Sequence, residues 1–156
     1  MKHRELERKF LVRKPPPGWR RAPHSRIVQG YFPLSTDRIE IRLRRIGSGH
    51  FLTVKAGRGR LRLEEDIELK PATFKSLWPL TAGRQISKTR YKIPWEKCTV
   101  EMDVYAGPHR GLVTADIEFE SRPALRSFTV PDWFGPELTG NRRYANEALA
   151  ERQALP

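Results

Sequence analysis

Along most of this chain apolar and charged residues take turns, one by one. In "ELERKFLV" an extended backbone puts Leu6, Phe10 and Val12 on one face and Glu5, Glu7 and Lys9 on the other. "IEIRLR" sets Ile39, Ile41 and Leu43 against Glu40, Arg42 and Arg44, and "FLTVKAG" sets Leu52 and Val54 against Thr53 and Lys55. "LRLEEDIEL" opposes Leu61, Leu63, Ile67 and Leu69 to Arg62, Glu64, Asp66 and Glu68. "SKTRYKI" aligns Lys88, Arg90 and Lys92; "TVEMDVYAG" sets Val100, Met102 and Val104 against Glu101, Asp103 and Tyr105. "VTADIEFES" sets Val113, Ala115, Ile117 and Phe119 against Asp116, Glu118 and Glu120. With the weaker "RIVQGYFP" these make eight strand candidates of period two.

The links between them are short and rich in turn residues ("IGSGH", "KAGRGR", "AGPHRG"), which predicts antiparallel neighbours in a meander. Helices are few. "KPATFKSLWPL" and "SRPALRSF" read as short ones, and "NRRYANEALAERQAL" as a C-terminal helix with Asn141 as its N-cap. "VPDWFGPELTG" reads as a connection. Trp78, Trp95, Trp133, Phe134 and Phe74 are expected to pack in a core under the helices, and Tyr31 against the last helix. No internal repeat or linker divides the chain, so residues 1–156 are expected to form a single domain.

Composition sharpens the picture at one point. Charged residues make up 31% of the chain, above the roughly one quarter that is usual, and the net charge is +12. Such a charge calls for a polyanionic partner: nucleic acid, an anionic membrane surface or a phosphorylated small molecule. No run is apolar enough to span a membrane and no signal peptide is evident, so a cytoplasmic protein is expected. The single Cys98 excludes an internal disulfide and has no nucleophile context, and the four histidines, scattered without ligand spacing, read as surface or loop residues.

A charged strand face most often lies in water, and an antiparallel sheet with its apolar face on helices is the plainest reading. The sorting of charge argues against it. Glu5/Glu7, Glu64/Asp66, Glu101/Asp103 and Glu118/Glu120 are acidic pairs, while Arg42/Arg44 and Lys88/Arg90 are basic ones. Like charges two apart on one face repel unless a counter-ion or a cross-strand partner holds them. Eight strands can also close into a barrel that holds a small ligand. Turned inward, the charged faces would line a nearly neutral cavity needing water, metal and an anion.

These segments, in this order, resemble the CYTH superfamily, also called triphosphate tunnel metalloenzymes. "ELERK" fits its ExExK signature; "IEIRLR", "LTVKAG", "RLEEDIE", "SKTRY", "EMDVYAG", "DIEFES" and "NRRYANEAL" resemble its later segments. The resemblance implies a mainly β (α+β) fold: an eight-stranded antiparallel barrel forming a triphosphate tunnel, with a few short helices and a C-terminal helix. It implies Mg²⁺ or Mn²⁺ held by Glu5, Glu7, Glu118 and Glu120, and phosphates held by Lys9, Arg42, Arg44, Lys55, Arg62, Lys88, Arg90 and Arg143. Glu118, Glu120 and Lys88 are the implied catalytic groups, with metal-held water at Glu118 and Glu120 attacking a terminal phosphorus. Glu64, Asp66, Glu101 and Asp103 are expected to orient the cations.

Among family activities the short single-domain form is most like the inorganic triphosphatases, which release pyrophosphate and phosphate. An adenylate cyclase, or a hydrolase of thiamine triphosphate or nucleotides on the same scaffold, is the first alternative. A non-catalytic polyphosphate- or RNA-binding module is the second. Paired carboxylates would repel phosphates in a plain binder, which favours metal and hence catalysis. The expected partner is a small-molecule triphosphate, with nucleic acid bound only weakly and non-specifically and no membrane involved.

Overall fold

The computed structural model describes residues 6–34, 39–56, 63–152 and 155–156. Glu5 and Arg62 lie outside the described residues. The strands are β1 (Leu6–Val12), β2 (His24–Tyr31), β3 (Ile39–Ile46), β4 (Gly49–Ala56), β5 (Leu63–Glu68), β6 (Gln85–Trp95), β7 (Cys98–Tyr105), β8 (Val113–Phe119) and β9 (Phe134–Glu137). They form one sheet in the order β5-β4-β3-β2-β6-β7-β8-β1-β9, antiparallel throughout. Three short helices, α1 (Pro71–Leu77), α2 (Arg122–Ser127) and α3 (Asn146–Glu151), complete it. This is the mainly antiparallel β fold with few short helices that the alternation predicts.

Three details differ from the sequence expectation. The "VPDWFGPELTG" connection contributes a ninth strand, β9, at the sheet edge beside β1. Its four residues include Pro136 and carry no alternation, and an edge strand tolerates proline. Among the described residues β5 and β9 are the two edges, so the hydrogen-bonded ladder does not close into a ring. The C-terminal segment also splits. Asn141 accepts a hydrogen bond from the Arg143 N–H, but the turn it caps is a 3-10 turn, Arg142–Tyr144; Ala145 is extended, and α3 follows.

The hydrophobic core lies outside the sheet's concave face. Phe10, Val12, Val100, Met102, Ala115, Ile117, Phe119 and Phe128 form one buried cluster, with Trp19, Trp95, Ala124, Leu125, Trp133 and Phe134 packed against it. The strand residues of this cluster sit on the apolar faces of β1, β7 and β8, and α2 and the connection before β9 cover them. Burying side chains of this size is worth about 1.5–3 kcal/mol each. A second cluster joins Tyr31, Ile86, Tyr105 and Leu112 to Leu149 and Ala150 of α3, as expected for Tyr31. His109, expected at the surface, is buried, and its Nε2 lies 2.6 Å from the Arg152 carbonyl, which ties down the end of α3. No helix of the described residues is long and apolar enough to cross a membrane.

On the other wing, α1 packs on β4 and the 3-10 turn Trp78–Thr81 packs on the Gly30 end of β2. Phe74 is buried between His50 and Trp78, at ring distances of 4.9 and 5.2 Å. Gly30 lets this layer close down: a Cβ there would overlap the Thr81 side chain. Thr81 cannot retreat, because its hydroxyl donates to the Trp78 carbonyl and accepts from Gln85. Gly30→Ala should therefore destabilise by about 1–3 kcal/mol through overpacking, read in a thermal melt at roughly 2–4 °C per kcal/mol. An unchanged Tm would mean that this layer is loose.

Candidate active site

Strand pairing brings the charged faces together. Residues directly opposite on paired strands share a face, so the register runs Arg90–Asp103–Thr114 across β6, β7 and β8, and Glu40–Lys55–Glu64 across β3, β4 and β5. Glu7 of β1 stands opposite Glu118 of β8, and Lys9 opposite Asp116. Eight strands and the segment around α3 contribute to the wall of one cavity of about 680 Å³. Its cations are Lys9, Arg42, Arg44, Lys55, Lys88, Arg90 and Arg142. Its carboxylates are Glu7, Glu40, Glu64, Glu101, Asp116, Glu118 and Glu147, and Gln29, Tyr31 and Asn146 add neutral polar groups.

The floor of the cavity is a buried ion cluster. Asp103, wholly buried, accepts from the Lys88 ammonium at 2.6 Å and takes both Nε and Nη2 of Arg90, at 2.7 and 2.8 Å. Arg90 reaches Glu101 with its other terminal nitrogen. Lys88 lies 3.3 Å from the Asn146 side-chain oxygen, which also accepts from the Tyr105 hydroxyl. Two-pronged, charge-assisted bonds of this kind fix orientation as well as charge. Burial pushes the Asp103 carboxyl upward, but Lys88 and Arg90 outweigh it and hold the group at about 2. Burial dominates at Lys88 and brings the ammonium down to about 8 despite its contact with Asp103. Burial likewise raises Asp116 in spite of Lys9, which lies 3.5 Å away.

Above this floor the contacts loosen. Arg42 is 3.5 Å from Glu40, Arg44 is 3.9 Å from Asp66, and Lys55 is 3.1 Å from Glu64. The Nε atoms of Arg42 and Arg44 are buried without a hydrogen-bond partner. Burial, and then the neighbouring Arg42 charge, lowers the Arg44 pKa. Crowded guanidiniums with unfilled donors are the arrangement an oxyanion relieves.

The expected residues can now be placed. Lys9, Arg42, Arg44, Lys55, Lys88 and Arg90 converge on the cavity, as do Glu7, Glu64, Glu101 and Glu118. Asp103 lies beneath it, where it orients Lys88 and Arg90. Asp66 is not in the wall; it accepts from the Thr53 hydroxyl and is half exposed. Glu120 follows the end of β8, is exposed, and is not brought into the wall. Of the two arginines that open the last segment, Arg142 lines the cavity and Arg143 does not, since a 3-10 turn swings successive side chains about a third of a circle apart.

Several wall residues were missed by sequence reasoning. Asp116 and Glu40 had a signal, since both alternate in step with wall residues on their own strands. Asn146, Glu147 and Gln29 had none, because a helix and a neutral strand position bring them in by tertiary packing.

A divalent cation would find oxygen donors at Glu7 and Glu118. Like charges directly opposite on paired strands are unfavourable, so a cation between them is favoured. Among the described residues no group of three or more His, Cys, Asp or Glu is placed to hold a metal. The donor set present therefore fits an ion such as Mg²⁺, which keeps several waters and takes only one or two carboxylates.

An antiparallel sheet wrapped around a cation-rich cavity, with its apolar core on the outside, defines the class of phosphate-tunnel proteins. The inorganic triphosphatase of Nitrosomonas europaea is 44% identical over 148 residues, covering 94% of this chain and 96% of that protein. The inorganic triphosphatase of Acetivibrio thermocellus is 37% identical over 126 residues, 79% of this chain and 78% of that one. Among solved structures, an inorganic triphosphatase superposes with a TM-score of 0.78 at 39% identity, covering 96% of each chain. A Hippeastrum protein described as a candidate adenylyl cyclase with a dominant triphosphatase activity shares the fold, at TM-score 0.54 and 11% identity over 78% of this chain and 83% of that one. No family model matches the chain. The chain belongs to the inorganic triphosphatases of the CYTH superfamily.

The buried cluster makes a prediction about acid. Asp103 is held below its ordinary value, so it contributes stability above about pH 3.8 that is lost as pH falls toward about 2. A shift of that size is on the order of 2 kcal/mol. Asp103→Asn should flatten this acid limb and, by leaving Lys88 and Arg90 uncompensated, lower stability at neutral pH by about 3–5 kcal/mol. Urea unfolding across that pH range measures both. An unaltered acid limb would mean that another carboxylate governs acid unfolding.

Proposed function

We propose that this chain hydrolyses inorganic triphosphate to pyrophosphate and phosphate within the charged cavity, with Mg²⁺ or Mn²⁺ at Glu7 and Glu118. The observation that carries the reading is the pair of buried, unpartnered Nε donors of Arg42 and Arg44, beside a cavity wall that holds seven cations. Phosphoryl transfer asks a protein mainly for positioning and charge. Arg42, Arg44, Lys55 and Lys9 supply donors for phosphate oxygens, and Arg90, clamped by Asp103 and Glu101, offers a fixed charge. Lys88, with a pKa of about 8, can hold a proton against the leaving pyrophosphate. When bound, the divalent ion neutralises phosphate charge and acidifies water. Glu118 and Glu7 orient that water toward the terminal phosphorus.

The wall also speaks to substrate choice. Tyr31 is the aromatic residue in it, and its side chain is buried and bonded to Gln29. No aromatic face is therefore offered to a nucleobase among the described wall residues, which favours triphosphate itself over ATP. The test is a panel of triphosphate, pyrophosphate, ATP and thiamine triphosphate, assayed for phosphate, pyrophosphate and cyclic AMP with and without each metal. Triphosphate turnover that requires metal and exceeds ATP turnover is expected. Cyclic AMP as the main product would establish the cyclase reading instead.

Two substitutions separate the two sides of the wall. Glu118→Gln keeps shape but removes one negative oxygen, so kcat should fall and recover in part with added metal. Arg42→Met keeps the apolar stem and removes a charge-assisted contact worth about 1.5–3 kcal/mol, lowering kcat/KM about 10- to 100-fold with no rescue by metal. KM alone should rise if the contact serves ground and transition states equally. Metal rescue of Arg42→Met but not of Glu118→Gln would reverse the two assignments.

A further inference from the structure

We infer that the exterior face formed by the turn Trp19–Arg21 and the outer sides of β2 and β3 is a docking surface for linear inorganic polyphosphate. The starting point is the net charge of +12, which the cavity does not explain. Among the described residues its wall holds seven cationic and seven anionic side chains, so the described wall contributes nothing to the surplus.

Part of it is concentrated. Between Glu7 and Asp37 the sequence contains no carboxylate and seven Lys or Arg residues. Two of those are already engaged, Arg8 by Glu137 and Lys9 by Asp116. Arg20, Arg21 and Arg26 are exposed, and no carboxylate of the described residues pairs with them. The fold then adds a cation from another strand. Arg45 stands opposite Val28, one step of the pleat from Arg26, on the face of β3 opposite Arg42 and Arg44. Arg45 is exposed and likewise without a carboxylate partner. The turn is seated beside them, because Trp19 packs edge-on against Tyr91, and Tyr91 is the strand partner of His24 at the start of β2.

Arg26 and Arg45 share a sheet face and Arg20 and Arg21 lie in the adjoining turn; like charges gathered in this way repel, and a phosphate chain relieves that by accepting planar, two-pronged donors. The kind of polyanion follows from what surrounds them. The Trp19 ring is capped by Arg20 at 4.5 Å and engaged by Tyr91 at 4.7 Å, so it is already occupied where a stacked base would lie. Recognition of single-stranded nucleic acid relies on such stacking. Of the exposed large apolar side chains, Leu34, Leu63, Ile67, Leu80, Val130 and Leu155 lie on other segments and Ile39 stands alone at the far end of β3 from Arg45, so the belt has no apolar cluster to wedge into a lipid surface. Phosphates without bases or lipid tails remain.

The test uses the full chain in chelator, so that nothing is hydrolysed, and follows the anisotropy of end-labelled long-chain polyphosphate at several salt concentrations. Binding should weaken linearly in log–log form with salt. In the Arg20→Gln/Arg21→Gln/Arg26→Gln variant the slope should shrink by about 0.7 for each arginine removed, the value for single-stranded polyanions, and low-salt affinity should fall about 10-fold or more. Turnover of triphosphate with metal should be unchanged, since none of these residues lines the cavity, and this readout reports separately on the proposed activity. Saturating triphosphate should not displace the chain. Arg26→Gln/Arg45→Gln, both on strands, repeats the test if the triple variant does not fold. Wild-type affinity and slope in the folded variant, displacement by triphosphate, or tighter binding of polyuridine RNA than of polyphosphate would each overturn the inference.

Discussion

Asp103 is the counter-charge on which the interior depends. It sits in the middle of the sheet, wholly buried, with an ammonium and a guanidinium on its two oxygens. An isolated ion at that depth is not sustainable, and replacing the trio by apolar side chains would often cost nothing in stability. What the trio provides is placement. Arg90 is held in one orientation by Asp103 and Glu101, and Lys88 is held under the cavity with its pKa drawn down to about 8. Without the carboxylate, the two cations would repel each other and the cavity would lose its floor.

A charged interior dictates where the apolar residues go. Strand side chains alternate, so every residue turned into the cavity forces its neighbours outward. The core is therefore a layer between the sheet's convex face and the segments that cover it: α2 and the Trp19 and Trp133 loops over β1, β7 and β8, and α1 over β4. α3 instead packs on the cavity side of the sheet. Leu149 and Ala150 pack on Tyr31 and Tyr105, while Asn146, three residues before Leu149, meets Lys88. The His109 contact to the Arg152 carbonyl anchors that helix where the interior needs it.

Within the cavity the charges are unevenly divided among the strands. Glu7 and Glu118 face each other on β1 and β8, whereas Arg42, Arg44, Lys55 and Lys88 belong to β3, β4 and β6. The arginine and lysine side of the cavity is complementary to phosphate oxygens, and the Glu7–Glu118 side would suit a cation. The same strands carry the opposite logic on their outer faces. Arg45 points away from the cavity one residue after Arg44, so a single strand contributes to the interior and to the exterior basic belt.

Much of this was legible in the amino-acid sequence, because a period of two is a local property. Sorted alternation located eight of the nine strands and told which side chains share a face. The resemblance carried by "ELERK" and the segments after it gave the family. Lys9, Arg42, Arg44, Lys55, Lys88 and Arg90 all line the one cavity. What tertiary structure alone decided is register, curvature and the approach of distant segments. Pairing in register puts Glu118 opposite Glu7 and leaves Glu120 past the strand end, although both glutamates fall in step in the sequence alternation. A 3-10 turn, whose side-chain spacing differs from that of a helix by a few tens of degrees, brings Arg142 rather than Arg143 to the cavity wall. Asn146 reaches Lys88 across 58 positions of sequence, and no local pattern could announce that contact, because its energy comes from packing that exists only once the sheet has folded around the cavity.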